Sequence, residues 1–372
     1  MRILHVSNYY PEHIGGIETV AANLTAGYRE KGHQVRWVAG DILTDPHATH
    51  SGDVPLRVWN GIEGIGFPYP LPAPSAVYRV RELVEWSEVV HIHDCLYAIN
   101  VATFAAAHRR RRPVLLTQHV ATVPYPNPVV RGLQSAAYAT IGRAVLSRAE
   151  TVAFVSEEVK AWFEARLRFR KPPVVIENGI DTALFQPAAE SDRTSIRAAQ
   201  GADGSRPRLL FVGRFVEKKG VRLLRPLIER TPEYDWVMIG RSGDVDPAGW
   251  GLRNLRVMPS LKQPELRDHY VAADLLVLPS TGEGFPVVAQ EAMACGTPAL
   301  LNDKIAAGIP SMRDIVFTTT LAGNDLDIAL RNAVPAASAA HYRERVAAYA
   351  GARWGIESMV SRYEDELEAL LR

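Results

Sequence analysis

The sequence predicts an α/β protein made of two doubly wound units, each with a parallel sheet covered by helices. Short apolar runs rich in β-branched residues alternate with amphipathic stretches of helical length along most of the chain, which is typical of strands buried on both faces. The 372 residues are too many for one typical domain and about right for two. A polar, poorly patterned connection at 186–207 separates two such series. We therefore expect one domain at 1–185 and another at 186–354.

The first series contains six predicted strands, which are too short for helices: residues 3–6, 35–39, 89–93, 114–117, 151–155 and 174–177. Residues 17–30 and 129–148 have the apolar spacing of helices, and Ser156 is a suitable N-cap for a further helix. An Asn-Gly turn at 178–181 closes the series.

The second series contains five predicted strands: residues 208–213, 236–239, 255–258, 275–278 and 299–301. A short helix is predicted at 193–200, inside the connection. The last predicted helix, at 356–371, carries an apolar stripe along one face. The alternation of strands and helices again favours a parallel, doubly wound sheet.

Composition limits the class of protein. A net charge of +1 gives no electrostatic reason to expect nucleic acid as a partner. Cys95 and Cys295 lie far apart and form no disulfide framework, which favours a reducing compartment. The N-terminal strand turns polar too soon for a signal peptide, and no apolar run approaches the roughly 18 residues that span a bilayer. We therefore expect a cytoplasmic protein.

Two glutamates define the most informative motif. Glu283 lies in a glycine-containing loop after a predicted strand, and Glu291 lies eight positions later in the helix that follows. Pro286 suits the first turn of that helix and Gly296 its end. Carboxylates accept hydrogen bonds from hydroxyls, and helix N-terminal amides favour phosphate oxygens. The motif resembles the E-x7-E signature of retaining GT-B glycosyltransferases of family 4, and the resemblance covers practically the whole chain.

This resemblance implies a GT-B fold, in which two Rossmann-like doubly wound domains face a central cleft. The final helix of that fold crosses back to the N-terminal domain, so residues 355–372 are expected to belong with 1–185. The N-terminal domain would hold the acceptor, and 186–354 the nucleotide sugar. The family pattern implies that Glu283 contacts hydroxyls of the donor sugar and that Glu291 binds the nucleotide ribose.

A basic loop follows the first strand of the second series. Gly213 and Arg214 come directly after the strand, and Lys219 follows five positions later. Arginine offers a planar fork of donors and lysine a movable point charge, so the pair suits a diphosphate. The loop resembles the family's G-R-x-x-x-x-K-G element, whose cations neutralise the leaving diphosphate. Lys218 is expected to face solvent.

The family pattern implies further contacts. Gly15 and Gly16, just before the first long helix, would let the donor approach backbone amides, and His119 is expected near the donor sugar. Other contacts to the nucleotide sugar are expected, mainly from the backbone, at Gly213, Gly240, Ser260, Leu261, Gly284, Phe285 and Val287. Candidate residues on the acceptor side are Glu12, His13, His93 and Asp94.

A metal site is not expected. His91 and His93 alternate along a strand, but no third ligand can be identified in the sequence, and the family lacks a DxD metal motif. Catalysis is therefore expected to be metal-independent and to depend on Arg214, Lys219, Glu283 and His119. One segment, 302–308, departs from the family pattern because it lacks the usual glycine pair followed by glutamate.

The implied activity is the transfer of a hexosyl group, with retention of configuration, from a UDP- or GDP-sugar to a hydroxyl of a saccharide, glycolipid or small molecule. No cofactor besides this co-substrate is expected. A nucleotide-sugar epimerase or phosphorylase of the same fold is the alternative, and a non-catalytic binding protein is another. A nicotinamide oxidoreductase is disfavoured because the first strand–helix junction lacks G-x-G-x-x-G. Apolar residues and arginines at 123–148 leave peripheral contact with the inner face of a membrane open.

Overall fold

The computed structural model describes residues 1–11, 16–41, 52–59, 70–122, 128–202, 204–282, 286–309, 312 and 315–372. The chain forms two compact units. The first consists of Met1–Gly179 with Ile356–Arg372, and the second of Ile180–Gly355. The division lies inside the turn at 178–181, so the polar connection at 186–207 belongs to the second unit instead of separating the two.

The strands, in chain order, are β1 (Arg2–Tyr9), β2 (Gln34–Asp41), β3 (Asp53–Trp59), β4 (Leu71–Pro72), β5 (Val89–His93), β6 (Val114–Gln118), β7 (Thr151–Phe154), β8 (Val174–Val175), β9 (Arg208–Val212), β10 (Asp235–Ile239), β11 (Leu255–Met258), β12 (Leu275–Leu278), β13 (Ala299–Asn302) and β14 (Phe317–Thr319). Every strand predicted from the sequence is present, although β8 is shorter than predicted. The sequence does not predict β3, β4 or β14. In β3, Pro55 and the exposed positions interrupt the continuous apolar run that identifies the other strands.

The helices are α1 (Gly16–Glu30), α2 (Pro74–Trp86), α3 (Ala98–Arg109), α4 (Pro128–Ala137), α5 (Arg143–Leu146), α6 (Glu157–Glu164), α7 (Glu190–Ala199), α8 (Val221–Arg230), α9 (Gln263–Ala272), α10 (Val287–Ala294), α11 (Asp303–Ala307), α12 (Asp325–Ala337), α13 (Ala340–Arg353) and α14 (Ile356–Ala369). The predicted N-cap of α6 is confirmed, because Ser156 accepts the N–H of Val159 at 3.3 Å. Across the described part of the chain, no helix is both long and apolar enough to cross a membrane.

The long helix predicted at 129–148 is divided into α4 and α5 by a π-helical turn at Tyr138–Gly142. Such a turn inserts one extra residue into the helical ladder and shifts the faces on either side of it. The absence of a side chain at Gly142 lets the turn pack closely, since a Cβ there would lie 2.9 Å from Cδ1 of Tyr138 and 3.5 Å from Sγ of Cys95.

The first unit is built on a sheet with the strand order β4-β3-β2-β1-β5-β6-β7-β8. Its strand pairs are parallel, except that β3 and β4 are antiparallel. The chain order reverses between β1 and β5, where His5 pairs with His91. Ligands of open α/β sheets bind outside the carboxyl ends of the strands at such a reversal. The residues that follow β1 and β5 are therefore candidates for a site.

The C-terminal helix α14 packs against α1 within the first unit. Gly27 lies directly under Val360, because a Cβ at Gly27 would lie 2.4 Å from Cγ2 of Val360. Glu364 forms an ion pair with Lys31 at 2.7 Å, and its Oε1 lies within hydrogen-bond distance of Nε2 of His33, at 2.6 Å. The last helix of the chain is thus an integral part of the first unit.

The second unit is built on a parallel sheet with the order β11-β10-β9-β12-β13-β14. This order reverses between β9 and β12. The helix α10 after β12 begins at Val287. The sequence predicts Pro286 in the first turn of this helix, whereas the structure places it at the N-cap, one position earlier. Gly296 follows the helix with φ of 78°, and its predicted role at the helix end is confirmed.

Asp274, which precedes β12, joins the helix α7 to the second sheet. Its Oδ1 lies 2.5 Å from Nη2 of Arg193. Its Oδ2 accepts hydrogen bonds from Nη1 of Arg197 at 2.9 Å and from the N–H of Arg208 at 2.7 Å. Burial opposes the ionised form, but Arg197, the N–H of Arg208 and Arg193 outweigh it and hold the pKa of Asp274 below its usual value. This network fastens the polar connection to the second unit.

Candidate functional site

The loops that follow β9 and β12 meet at the point where the second sheet reverses its order. The N–H of Thr281 donates to the carbonyl oxygen of Lys218 at 2.9 Å, and the hydroxyl of Thr281 donates to the same oxygen at 3.2 Å. A Cβ at Gly220, where φ is 72°, would lie 2.1 Å from the carbonyl oxygen of Pro279. The basic loop and the segment that leads to Glu283 therefore lie together at the edge where a ligand is expected.

Gly213 and Gly240 end neighbouring strands, and their backbones are in direct contact. A Cβ at Gly240 would lie 1.8 Å from the carbonyl oxygen of Gly213, and Gly213 has φ of 155°. The N–H of Gly213 donates to Ile239 at 3.0 Å. Since a side chain at Gly240 would collide with backbone, this position requires glycine, and the structure brings the two predicted contact residues side by side.

The two predicted diphosphate ligands lie on one loop. Lys219 ends a 3-10 turn, Glu217–Lys219, and its aliphatic chain folds back along Gly213: its Cδ and Cε lie 3.7 and 3.8 Å from the position of a Cβ on that glycine. Arg214 is exposed at the end of β9. Lys218 is half-buried, so it is less exposed than expected for a solvated neighbour.

Glu291 is buried inside the second unit and is only 5% exposed. Burial raises the pKa of Glu291 to about 7, although hydrogen bonds from Tyr270 and Gln263 act in the opposite direction and lower it. The hydroxyl of Tyr270 lies 2.8 Å from Oε2 of Glu291. Both partners lie on α9. The segment just before α9 contains the predicted nucleotide contacts Ser260 and Leu261, of which Ser260 is exposed and Leu261 is half-buried. The structure thus joins Glu291 to the helix that follows this segment.

Several predicted residues lie outside the described part of the chain: Glu12, His13, Gly15, Glu283, Gly284 and Phe285. Gly16, the first residue of α1, is described, and a Cβ there would meet nothing within 4 Å. Val287 is the first residue of α10.

In the first unit, His119 lies just after β6 and is 4% exposed. Its N–H donates to Oδ1 of Asp94 at 3.2 Å. Asp94 has φ of 69°, which is uncommon for a residue with a side chain and occurs often at functional sites. Burial raises the pKa of Asp94 to about 7, although the N–H of His119 favours its ionised form.

His5 supplies a third imidazole beside His91 and His93, which the sequence analysis missed. The ligand atoms of these three histidines lie within 4.8 Å of one another, and all three side chains are fully buried. The statement that no third candidate ligand exists is therefore wrong. Both ring nitrogens of His93 are engaged with other imidazoles, Nε2 with His5 and Nδ1 with His119, which does not support the expected contact between His93 and an acceptor. The signal was present: His5 occupies a buried strand next to the strand of His91 and His93.

Other residues of the two sites carry no motif in the sequence. Thr25, on the buried face of α1, hydrogen-bonds to His5 at 2.7 Å. Tyr270 and Gln263 reach Glu291 from α9. A hydroxyl or an amide on a helix indicates no particular partner until the packing of that helix is known.

Family membership follows from comparison with known proteins. Residues 14–184 match the family model described as Glycosyltransferase Family 4, and residues 192–312 match the one described as Glycosyl transferases group 1. The chain belongs to glycosyltransferase family 4. This confirms the resemblance that the motifs indicate.

Two relatives of this family 4 chain differ in the acceptors that their names give. D-inositol 3-phosphate glycosyltransferase of Xylanimonas cellulosilytica is 30% identical over 293 residues, which cover 71% of this chain and 66% of that relative, just under two thirds of its length. GDP-mannose:cellobiosyl-diphosphopolyprenol alpha-mannosyltransferase of Xanthomonas oryzae pv. oryzae is 27% identical, over 82% of this chain and 79% of that relative.

Among solved structures, HepE from Anabaena in complex with UDP has a TM-score of 0.77 and 19% sequence identity, and the match covers 99% of this chain and 100% of HepE. This likeness concerns the fold. It confirms the predicted class: a GT-B glycosyltransferase fold with two parallel-sheet domains.

Proposed function

We propose that this family 4 protein is a retaining glycosyltransferase that transfers a sugar from a nucleotide sugar to a hydroxyl of a saccharide, glycolipid or small molecule. The observation that carries the proposal is the basic loop at the reversal of the second sheet. There Lys219 lies along Gly213, and the loop is hydrogen-bonded to the segment after β12. Membership of a glycosyltransferase family supports the same activity.

The chemistry follows from charge. When the sugar leaves the nucleotide, negative charge develops on the diphosphate, and preorganised cations that neutralise it lower the barrier. Lys219 and Arg214 supply that charge, so no divalent cation is required in this mechanism. The acceptor hydroxyl attacks the face from which the nucleotide departs, and the diphosphate takes its proton. Glu283 is assigned to the hydroxyls of the donor sugar, and Glu291 to the nucleotide ribose.

The donor is best identified by ligand-induced stabilisation. We expect one of UDP, GDP and ADP, or one of their sugars, to raise the melting temperature by several degrees when it is present at about 100 times its Kd, which corresponds to about 2.7 kcal/mol. HepE was solved in complex with UDP, and the name of the Xanthomonas relative gives GDP-mannose as its donor, so UDP- and GDP-sugars are the first candidates. If none of these ligands shifts the melting temperature, the nucleotide-sugar proposal is wrong.

The reaction itself is tested by incubating the stabilising nucleotide sugar with D-inositol 3-phosphate and, separately, with a polyprenyl-diphosphate saccharide, the acceptor types named for the two relatives. We expect a glycoside whose anomeric configuration, read by NMR, matches that of the donor. An inverted product would contradict retention. Conversion of the nucleotide sugar without transfer to an acceptor hydroxyl would indicate the epimerase or phosphorylase instead.

We also propose that α4 contacts the surface of a membrane. None of its residues is buried, and Val129 and Leu133, which share one face, are 67% and 66% exposed. An apolar face beside basic residues is typical of interfacial helices, and α4 carries Arg131. We expect Leu133→Ser to reduce co-sedimentation with anionic phospholipid vesicles several-fold. Ile328→Ser, at an exposed position of the second unit, is the matched control, and an equal loss in both variants would contradict the role of α4.

A further inference from the structure

Three imidazoles and a threonine form a continuous hydrogen-bonded chain inside the first unit. Nδ1 of His5 lies 2.7 Å from Oγ1 of Thr25, and Nε2 of His5 lies 2.6 Å from Nε2 of His93. Nδ1 of His93 lies 2.8 Å from Nε2 of His119. We call these four residues the imidazole chain. Its members come from α1, β1, β5 and the residue after β6, so the sheet order at the reversal brings them together.

The direction of the first hydrogen bond is set by Thr25. Its single hydroxyl hydrogen is donated to the carbonyl oxygen of Ala21 at 2.8 Å. A carbonyl oxygen can only accept, so Oγ1 of Thr25 has no hydrogen left for His5. The hydrogen between these two side chains must therefore be on Nδ1 of His5.

The rest of the direction follows because the rings are neutral. Burial lowers the pKa of His5 and of His119 to about 3, with the nearby Arg29 adding to the effect at His5. Burial is also the main cause that lowers the pKa of His93 well below its usual value, and the neighbouring histidines add to the effect. A neutral imidazole has one N–H and one acceptor nitrogen. Nε2 of His5 therefore accepts from Nε2 of His93, and Nδ1 of His93 accepts from Nε2 of His119.

We propose that Thr25, acting through His5 and His93, holds His119 in the tautomer with a protonated Nε2, and so presents Nδ1 of His119 as a hydrogen-bond acceptor for a hydroxyl of the bound sugar. Among the described residues, the hydrogen bonds of His119 are made by its Nε2 and its backbone N–H, which leaves Nδ1 available to a ligand. Thr25, His5 and His93 are positioning residues, since they act through His119. Only the identity of the ligand, a sugar hydroxyl, rests on the proposed function.

A metal ion is the rival explanation for clustered histidines, and the distances argue against it. Two nitrogens bound to one tetrahedral zinc at about 2.0–2.1 Å lie roughly 3.3 Å apart, whereas those of His5 and His93 are 2.6 Å apart. His91 has its own partners, since its ring nitrogens lie 3.2 Å from the hydroxyl of Tyr28 and 2.8 Å from that of Thr117. The nitrogens that a metal would need are thus engaged in hydrogen bonds.

The direction of the chain can be read directly by long-range ¹H–¹⁵N NMR correlation on ¹⁵N-histidine-labelled protein, which distinguishes the two neutral tautomers. No substrate is needed. We expect Nδ1–H at His5 and Nε2–H at His93 and His119, with no change between pH 6 and 8. An Nδ1–H tautomer at His119, a charged ring in this range, or stoichiometric zinc in the purified protein would overturn the proposal.

The role of Thr25 is tested with a matched pair of variants. Thr25→Val keeps the shape but removes the hydroxyl, so His5 loses its acceptor and we expect the chain to reverse, leaving Nδ1–H on His119. Thr25→Ser retains the hydroxyl and should retain the wild-type tautomers. The wild-type spectrum decides the direction by itself, so the proposal stays testable if Thr25→Val does not fold.

In the transfer assay, we expect kcat/KM for the sugar donor to fall about tenfold in Thr25→Val, the effect of losing one hydrogen bond. Inhibition by the free nucleoside diphosphate should stay unchanged, and Thr25→Ser should restore the donor kinetics. A reversed chain with unchanged donor kinetics would overturn the positioning role. Correct tautomers in a protein that transfers no sugar would instead refute the proposed function and leave the direction of the chain intact.

Discussion

Replacing Lys219 by methionine is expected to lower kcat for sugar transfer about 100- to 1,000-fold, the range found when one preorganised group that stabilises transition-state charge is removed. Methionine retains most of the aliphatic chain that lies along Gly213, so the loop keeps its packing and loses the charge. The diphosphate then develops its charge without this cation. Initial rates over a range of donor concentrations, with saturating acceptor, separate the effect on kcat from that on KM.

Two variants serve as controls for this loss. Lys171→Met removes an exposed lysine of the first unit and should leave kcat unchanged. Lys219→Arg keeps the charge and should lose less activity than Lys219→Met, although the planar guanidinium does not reproduce the compact ammonium group. A reduction of less than threefold in Lys219→Met would show that this lysine is an ordinary solvated residue.

The strands could be predicted because a strand that is buried on both faces has a nearly continuous apolar pattern in the sequence. The strands β9 and β12 are nearly uninterrupted apolar runs, and they were located to within one residue. This apolar pattern is absent where a strand is only partly buried, as in β3, which has exposed positions and a proline. The pattern is ambiguous in the helix predicted at 129–148, because the residues on either side of Gly142 have helical spacing and this spacing does not distinguish a π-helical turn from a continuous α-helix.

The candidate site could be predicted where its residues share one loop and not where packing assembles it. Gly213 and Lys219 lie on one loop, so their proximity follows from local sequence. Thr25 and His5 are 20 positions apart and meet only because α1 packs on β1. The burial of Glu291 depends in the same way on α9, which supplies Tyr270. Spacing along the chain carries no information about such contacts.

Asp274→Asn is expected to destabilise the second unit by about 3 kcal/mol, because breaking a buried charge network by removing one partner leaves the remaining charges uncompensated. Arg193 and Arg197 would then face an amide, whose N–H groups cannot accept their hydrogen bonds. Because the chain has two compact units, they need not unfold in one transition, and the measurement has to report on each unit separately. Native-state hydrogen exchange measures the effect: protection should fall in β9 and stay unchanged in β5.

The matched control is Asp268→Asn, which breaks an ion pair with Arg267 at 2.8 Å whose aspartate is 46% exposed. Exposed pairs contribute about 0–1 kcal/mol, so this variant should exchange almost like the wild type.

The pH dependence gives a second check on Asp274. Because its pKa is lowered on folding, its contribution is complete above the unfolded-state pKa of about 3.9 and is lost as pH falls through the lower folded-state pKa. The difference between wild type and Asp274→Asn should therefore shrink below about pH 4, and a difference that stays constant into that range would show that packing, not charge, accounts for the loss.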